Sequence, residues 1–151
     1  WFRTGDLGAI TPDGWIYIKG RLKNMIVGPS GENIYPEDIE TVINTNRFVQ
    51  ESIVTEQDGH LIALIHFDTD AIVKHYEELK LRLARNAELL GQKKEEIKKE
   101  IKEYVNSKVN RFSRISDVIE NEEEFEKTPT RKIRRFLYEK RGKKTKTPEK
   151  K

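Results

Sequence analysis

The chain has 151 residues, 35% hydrophobic and 36% charged, and no cysteine. That is enough for one compact domain with an appendage. It excludes disulfides, thiolate metal sites and a cysteine nucleophile, and no apolar run reaches the ~20 residues of a membrane-spanning helix. The opening Trp1-Phe2-Arg3-Thr4-Gly5-Asp6 reads as the middle of something, so the expectation is a fragment of a larger cytoplasmic protein.

The net charge of +3 hides an asymmetry. Residues 127–151 carry 12 Lys/Arg against 2 Asp/Glu, and residues 1–126 carry 17 against 24. A basic tail of this kind can contact nucleic acid or an anionic membrane. Residues 142–151 have no apolar side chain, so nothing offsets the entropy of ordering them. The stretch 141–151 is read as a disordered, solvated tail.

Residues 9–20 read as a β-ribbon. Pro12-Asp13-Gly14 makes its turn, and Trp15-Ile16-Tyr17-Ile18 its returning strand. A short apolar piece, Met25-Ile26-Val27, precedes a loop, Gly28-Pro29-Ser30-Gly31-Glu32-Asn33. Pro36 suits the first turn of a helix, Glu37 and Asp38 favour its N-terminal dipole, and Ile39, Val42 and Ile43 give it an apolar stripe. Residues 49–55 and 61–67 are strands, joined by a hairpin turn at Gln57-Asp58-Gly59-His60. Asp68 caps a long helix carrying Ile72, Val73, Tyr76, Leu79, Leu83 and Leu90, which Gly91 ends. A second helix spans 93–110, with Ile97, Ile101, Val105 and Val109 on one face and Lys/Glu pairs on the other. Residues 117–125 form a third strand, and Ile133, Phe136 and Leu137 sit on a short terminal helix. The order predicts an α+β fold: a small N-terminal β-ribbon, then a compact domain with a three-stranded sheet flanked by helices, not alternating βαβ units.

Several positions invite a chemical reading. Asp6 has two acceptor oxygens and can take both hydroxyls of a ribose, or simply close a turn. Arg21 and Lys23 follow a strand two residues apart and can hold a phosphate or be surface charge. The glycines at 28 and 31 lack Walker spacing; they let backbone approach a ligand or make a turn. Lys132 is a mobile point charge able to reach a phosphate or a carboxylate, or the basic start of a surface helix. His60, His66 and His75 have no metal-binding spacing, so no metal ligand is assigned. The acidic run 120–126 reads as a solvated edge strand.

Taken in order, these pieces resemble the C-terminal domain of the adenylate-forming acyl-CoA synthetases. Trp1-Phe2-Arg3-Thr4-Gly5-Asp6 is similar to the family's YxTGD motif. Gly20-Arg21-Leu22-Lys23-Asn24-Met25-Ile26 with Gly31-Glu32-Asn33-Ile34-Tyr35-Pro36-Glu37-Asp38-Ile39-Glu40 resembles the GRxKxxI…GxxIxPxxIE block. Lys127-Thr128-Pro129-Thr130-Arg131-Lys132-Ile133-Arg134-Arg135 looks like the terminal KTxxGKIxRR motif, with Arg131 where the family commonly has glycine. The resemblance covers roughly residues 1–138. Lys23 and the helical insertion around residues 80–110 look most like the long-chain fatty acid branch.

The resemblance implies two half-reactions. ATP and a carboxylate give acyl-adenylate and pyrophosphate with Mg2+; the small domain then rotates, and the CoA thiol attacks the adenylate. By the same resemblance Asp6 and Arg21 bind the nucleotide, Lys23 is the hinge, Gly31 lies on the CoA-tunnel face and Lys132 is catalytic. It divides the chain into a linker and ribbon (1–22), a lid domain (23–140) and the tail. It also implies a missing large N-terminal domain, without which the fragment is inactive. Fatty acid, ATP and CoA would be the partners, with peripheral membrane contact open for the parent. The alternative is a basic module that contacts nucleic acid or anionic membrane through its tail.

Overall fold

The structure, a computed structural model, describes residues 1–76 and 87–139. The ribbon is an antiparallel pair, β1 (Asp6–Ile10) and β2 (Ile16–Arg21), in register from Ile10↔Ile16 back to Asp6↔Arg21. Its apolar residues are not covered: Trp15, Ile16 and Ile18 are all about two-thirds exposed. A single 3-10 turn, Leu22–Asn24, leads out of it. Then β3 (Ile26–Val27) and β4 (Asn33–Ile34) form a two-rung ladder around the turn at residues 28–31, which the sequence reading left as loop. Two-residue strands are too short for a period-two pattern to show.

The first helix, α1 (Pro36–Ile43), buries Pro36, Ile39, Glu40 and Ile43. That is the i, i+3, i+4, i+7 stripe of a helix lying on a core. The sheet has order β5 (Val49–Gln57), β6 (His60–Phe67), β7 (Asp117–Glu120). In the central strand Leu61, Ala63, Ile65 and Phe67 point into one cluster with Ile39, Ile43, Ile97, Ile101 and Val105. Ile62 and Leu64 point into another with Ile53, Phe125 and Tyr138. A strand covered on both faces loses the polar alternation, which explains the near-continuous apolar run.

The α+β class holds, with five corrections. β7 runs parallel to β6, Ile62↔Asp117 through Ile65↔Glu120, so the chain between them makes a crossover connection. The third strand stops at Glu120, because the chain bends at Glu122 and Glu123 and Phe125 enters the second cluster. Among the described residues α2 (Thr69–His75) ends at Tyr76; it is capped by Asp68, whose carboxylate accepts the Ala71 N–H at 2.9 Å. Leu79 and Leu83 lie outside the described residues. Gly91 does not end a helix: α3 (Ala87–Lys108) runs through it. One glycine costs a helix only about 1 kcal/mol, less than the burial of Ile97, Ile101 and Val105 provides. Finally, Ile133 is not helical. It pairs with Lys127 in an antiparallel bridge, and Arg135–Leu137 make one 3-10 turn.

A Cβ built on Gly91 meets nothing within 4 Å. Gly91→Ala should therefore raise stability by about 0.5–1 kcal/mol in urea denaturation. Ile101→Ala, at a site only 1% exposed, should lower it by about 2–5 kcal/mol.

Candidate functional site

The C-terminal motif folds as a small hairpin. The Arg131 N–H donates to the Thr128 carbonyl and the Thr128 N–H to the Lys132 carbonyl, both at 2.8 Å. The Arg134 N–H reaches the Glu126 carbonyl at 2.8 Å. Pro129 suits the second position of such a turn. Arg131 closes it at φ 61°, in the left-handed region where glycine is usual. The side chain there costs about 1 kcal/mol of backbone strain.

Two kinds of contact hold this hairpin to the body. Ile133, Leu137 and Tyr138 pack on the second face of the sheet. The Tyr138 ring stands edge-on to Phe125 at 5.0 Å, and its hydroxyl accepts the Glu126 N–H at 2.9 Å. The other contact is ionic. Glu40 is 7% exposed on the buried stripe of α1. Its Oε1 accepts from Arg135 Nη1 and from the Val54 N–H, each at 2.7 Å, and its Oε2 pairs with Arg135 Nη2. Burial pushes the Glu40 carboxyl above its usual range; the hydrogen bonds and charge of Arg135 only partly reverse this. Burial also works against the Arg135 charge, but the hydrogen bonds and charge of Glu40, with Glu37 and Glu139, outweigh it and raise its pKa.

The same helix holds the turn that follows the ribbon. Asn24 Nδ2 donates to Glu37 Oε1 at 2.5 Å. Gly20 sits at φ 145°, a backbone conformation that favours glycine, and a Cβ built there would lie 2.8 Å from Glu37 Oε2.

These attachments bring Arg21, Lys23 and Lys132 to the walls of one open cleft of about 730 Å3, with Glu37, Glu40 and Ser52. Asp6 joins through Arg21: the two are register partners, and Arg21 Nε lies 3.5 Å from Asp6 Oδ1. Lys23 and Lys132 are exposed, and among the described residues neither forms an ion pair. Cations without a carboxylate partner, around one cleft, can take phosphate oxygens. Gly31 is not among the residues lining this cleft. It sits at φ 82° in the 28–31 turn, with nothing within 4 Å of a built Cβ. Beside that turn lies a second cleft of about 320 Å3, lined by Gly28, Pro29, His60, Phe112 and Arg114 among others.

His66 Nδ1 lies 2.9 Å from the Asn121 carbonyl, and His75 Nε2 lies 3.0 Å from Arg47. No group of three His, Asp or Glu among the described residues could hold a metal. The sequence reading gave Glu40 and Arg135 no role. The signal was present: Glu40 interrupts an otherwise apolar helical stripe, and a buried carboxylate demands a cation.

Two measurements follow from this geometry. Arg135→Leu leaves the Glu40 carboxylate buried with only the Val54 N–H, and should cost about 3–5 kcal/mol. The double variant with Glu40→Leu should cost much less than the two single changes together, as a denaturation cycle will show. Arg131→Gly should raise stability by up to about 1 kcal/mol; a loss would contradict the strained turn.

No protein-family model matches the chain. It is 31% identical over 147 residues to long-chain-fatty-acid–CoA ligase FadD15 of Mycobacterium tuberculosis, covering 89% of this chain and 24% of that protein. It also matches the solved structure of a Mycobacterium tuberculosis fatty acyl CoA synthetase, at 30% identity and a TM-score of 0.59, over 93% of this chain and 24% of that one. The anthranilate CoA ligase AuaEII, in complex with anthranoyl-AMP, shares the fold at 21% identity and a TM-score of 0.67, over 95% of this chain and 24% of that one. The chain spans a quarter or less of the curated relatives it matches. Its homologues and structural neighbours are AMP-forming acyl-CoA ligases, of whose length it spans a segment.

Proposed function

We propose that the chain is the mobile C-terminal domain of an AMP-forming acyl-CoA ligase. The parent would use ATP to convert a carboxylate to acyl-adenylate and then pass the acyl group to CoA. The long-chain names of similar curated proteins favour a fatty acid as the carboxylate. The observation that carries the reading is the convergence of Arg21, Lys23 and Lys132 on one cleft, with Asp6 tied to Arg21.

In this reading Asp6 holds the ribose hydroxyls and Arg21 lies near the ribose or phosphate. Lys132 brings its charge between the carboxylate and the α-phosphate, where negative charge builds during transfer. Lys23 is the hinge, in the 3-10 turn between ribbon and body. Rotation there would withdraw Lys132 and present the turn of Gly31. The second cleft beside that turn offers Arg114 and Phe112, groups suited to the phosphate and base of CoA. The exposed apolar ribbon would meet the large domain. Mg2+ finds no ligand set among this chain's described residues. The segment alone would be inactive.

The test uses the intact ligase and assays the half-reactions separately. Lys132→Ala should cut ATP–pyrophosphate exchange by tenfold or more, each decade being about 1.4 kcal/mol of barrier. It should spare thioester formation from preformed acyl-adenylate. Exchange at the wild-type rate would refute the role of Lys132. Lys23→Pro, which fixes φ and restricts the residue before it, should do the reverse: adenylate forms and CoA transfer stalls. Equal losses in both steps, or none, would place the hinge elsewhere.

A further inference from the structure

We propose that Arg131 is a second phosphate-binding residue of this site, its guanidinium taking an oxygen of the nucleotide's polyphosphate beside Lys132. The inference rests on the adenylate-forming reading above.

Arg131 occupies a backbone position that glycine would take without strain. Its side chain is exposed, and among the described residues it makes no hydrogen bond or ion pair that would offset the cost. Its neighbours are like charges. Lys132 and Arg134 flank it within three residues, and its charge opposes that of Lys127, whose ammonium is held chiefly by a hydrogen bond to Glu51. So the residue is strained and repelled, and nothing in the described fold offsets either term. Backbone strain is informative when it coincides with a site, and this residue adjoins a lysine that lines the cation cleft.

A bound polyanion would reverse the repulsion and offset the strain. It turns the like-charge cluster into a set of partners, and the planar guanidinium matches phosphate oxygens with paired donors. The cleft already has Arg21, Lys23 and Lys132 on its walls, while Arg131 stands one residue outside them. A single phosphate would be served by the walls alone. A polyphosphate is longer; on the C-terminal side of Lys132 the wall adds Arg134, and on the N-terminal side the next cation along the loop is Arg131. The residue that destabilises the turn would thus be kept for the anion it binds.

The experiment compares Arg131→Gly, Arg131→Gln and Arg131→Lys in the intact ligase. KM values for ATP and pyrophosphate are read in ATP–pyrophosphate exchange, and KM for CoA in thioester formation from acyl-adenylate. Loss of one charged hydrogen bond should raise KM for ATP and pyrophosphate about tenfold in the Gly and Gln variants. Arg131→Lys keeps the charge but loses the paired donors, so its rise in KM should lie between wild type and the Gly and Gln variants. Unchanged KM values in Arg131→Gly would overturn the proposal. A rise confined to CoA would also overturn it, by assigning the guanidinium to a CoA phosphate instead. Wild-type ligase that shows no exchange with any carboxylate would sink the adenylate-forming reading itself, and this inference with it. Normal wild-type exchange with an indifferent Arg131→Gly would sink the inference alone.

Discussion

One buried ion pair organises the site. Glu40 and Arg135 are 95 residues apart in sequence, yet the guanidinium forks onto both carboxylate oxygens and Val54 adds a third N–H. Taking two charges out of water costs several kcal/mol each, and a pair with good geometry roughly recovers that. Two well-packed leucines could stabilise the body as well. What they could not do is set direction. The fork admits one orientation of the guanidinium, so it fixes how the hairpin at residues 126–134 meets α1. Glu37, one turn earlier, takes Asn24 from the other side. A single eight-residue helix therefore positions both walls of the cation cleft.

That arrangement suits a lid. In the proposed reading the lysine need not be buried; it needs to be carried rigidly on a body that can move. Lys132 is exposed on a loop, but its neighbours Ile133, Leu137 and Tyr138 are anchored in a packed cluster. The hinge candidate lies in a short 3-10 turn whose residues are not buried. The ribbon on the far side of that turn leaves Trp15, Ile16 and Ile18 exposed. In the proposed reading these parts belong to different rigid bodies, and the fold keeps the connection between them short.

The sequence made the core legible where burial imposes a pattern. The run at 61–67 could only be a strand covered on both faces or a buried helix, and the Asp58-Gly59 turn decided it. Pro36 and the stripe after it announced α1. The parallel pairing of β6 with β7 was not legible, because register across a crossover of some fifty residues leaves no local mark. Gly91 misled, since a single glycine is a weak signal when long-range packing fixes the helix on one side of it. The site residues were nameable because three motif blocks fell in order. Their assembly was not: nothing in the sequence says that Glu40 and Arg135 are the contact through which two of those blocks meet. Nor could it say that Arg131 would accept the glycine-like φ instead of changing the turn.

The most direct test of this account is native-state hydrogen exchange on wild type and Glu40→Gln. The amides of Thr128, Arg131 and Arg134 are all hydrogen-bonded within the C-terminal hairpin. If the buried carboxylate holds that hairpin in place, Glu40→Gln should strip protection from these three amides and from Val54, while the β5–β6 amides away from Val54 keep theirs. Undiminished protection at Thr128, Arg131 and Arg134 would show that the hairpin stands on the apolar cluster alone, and the ion pair would lose its place at the centre of the structure.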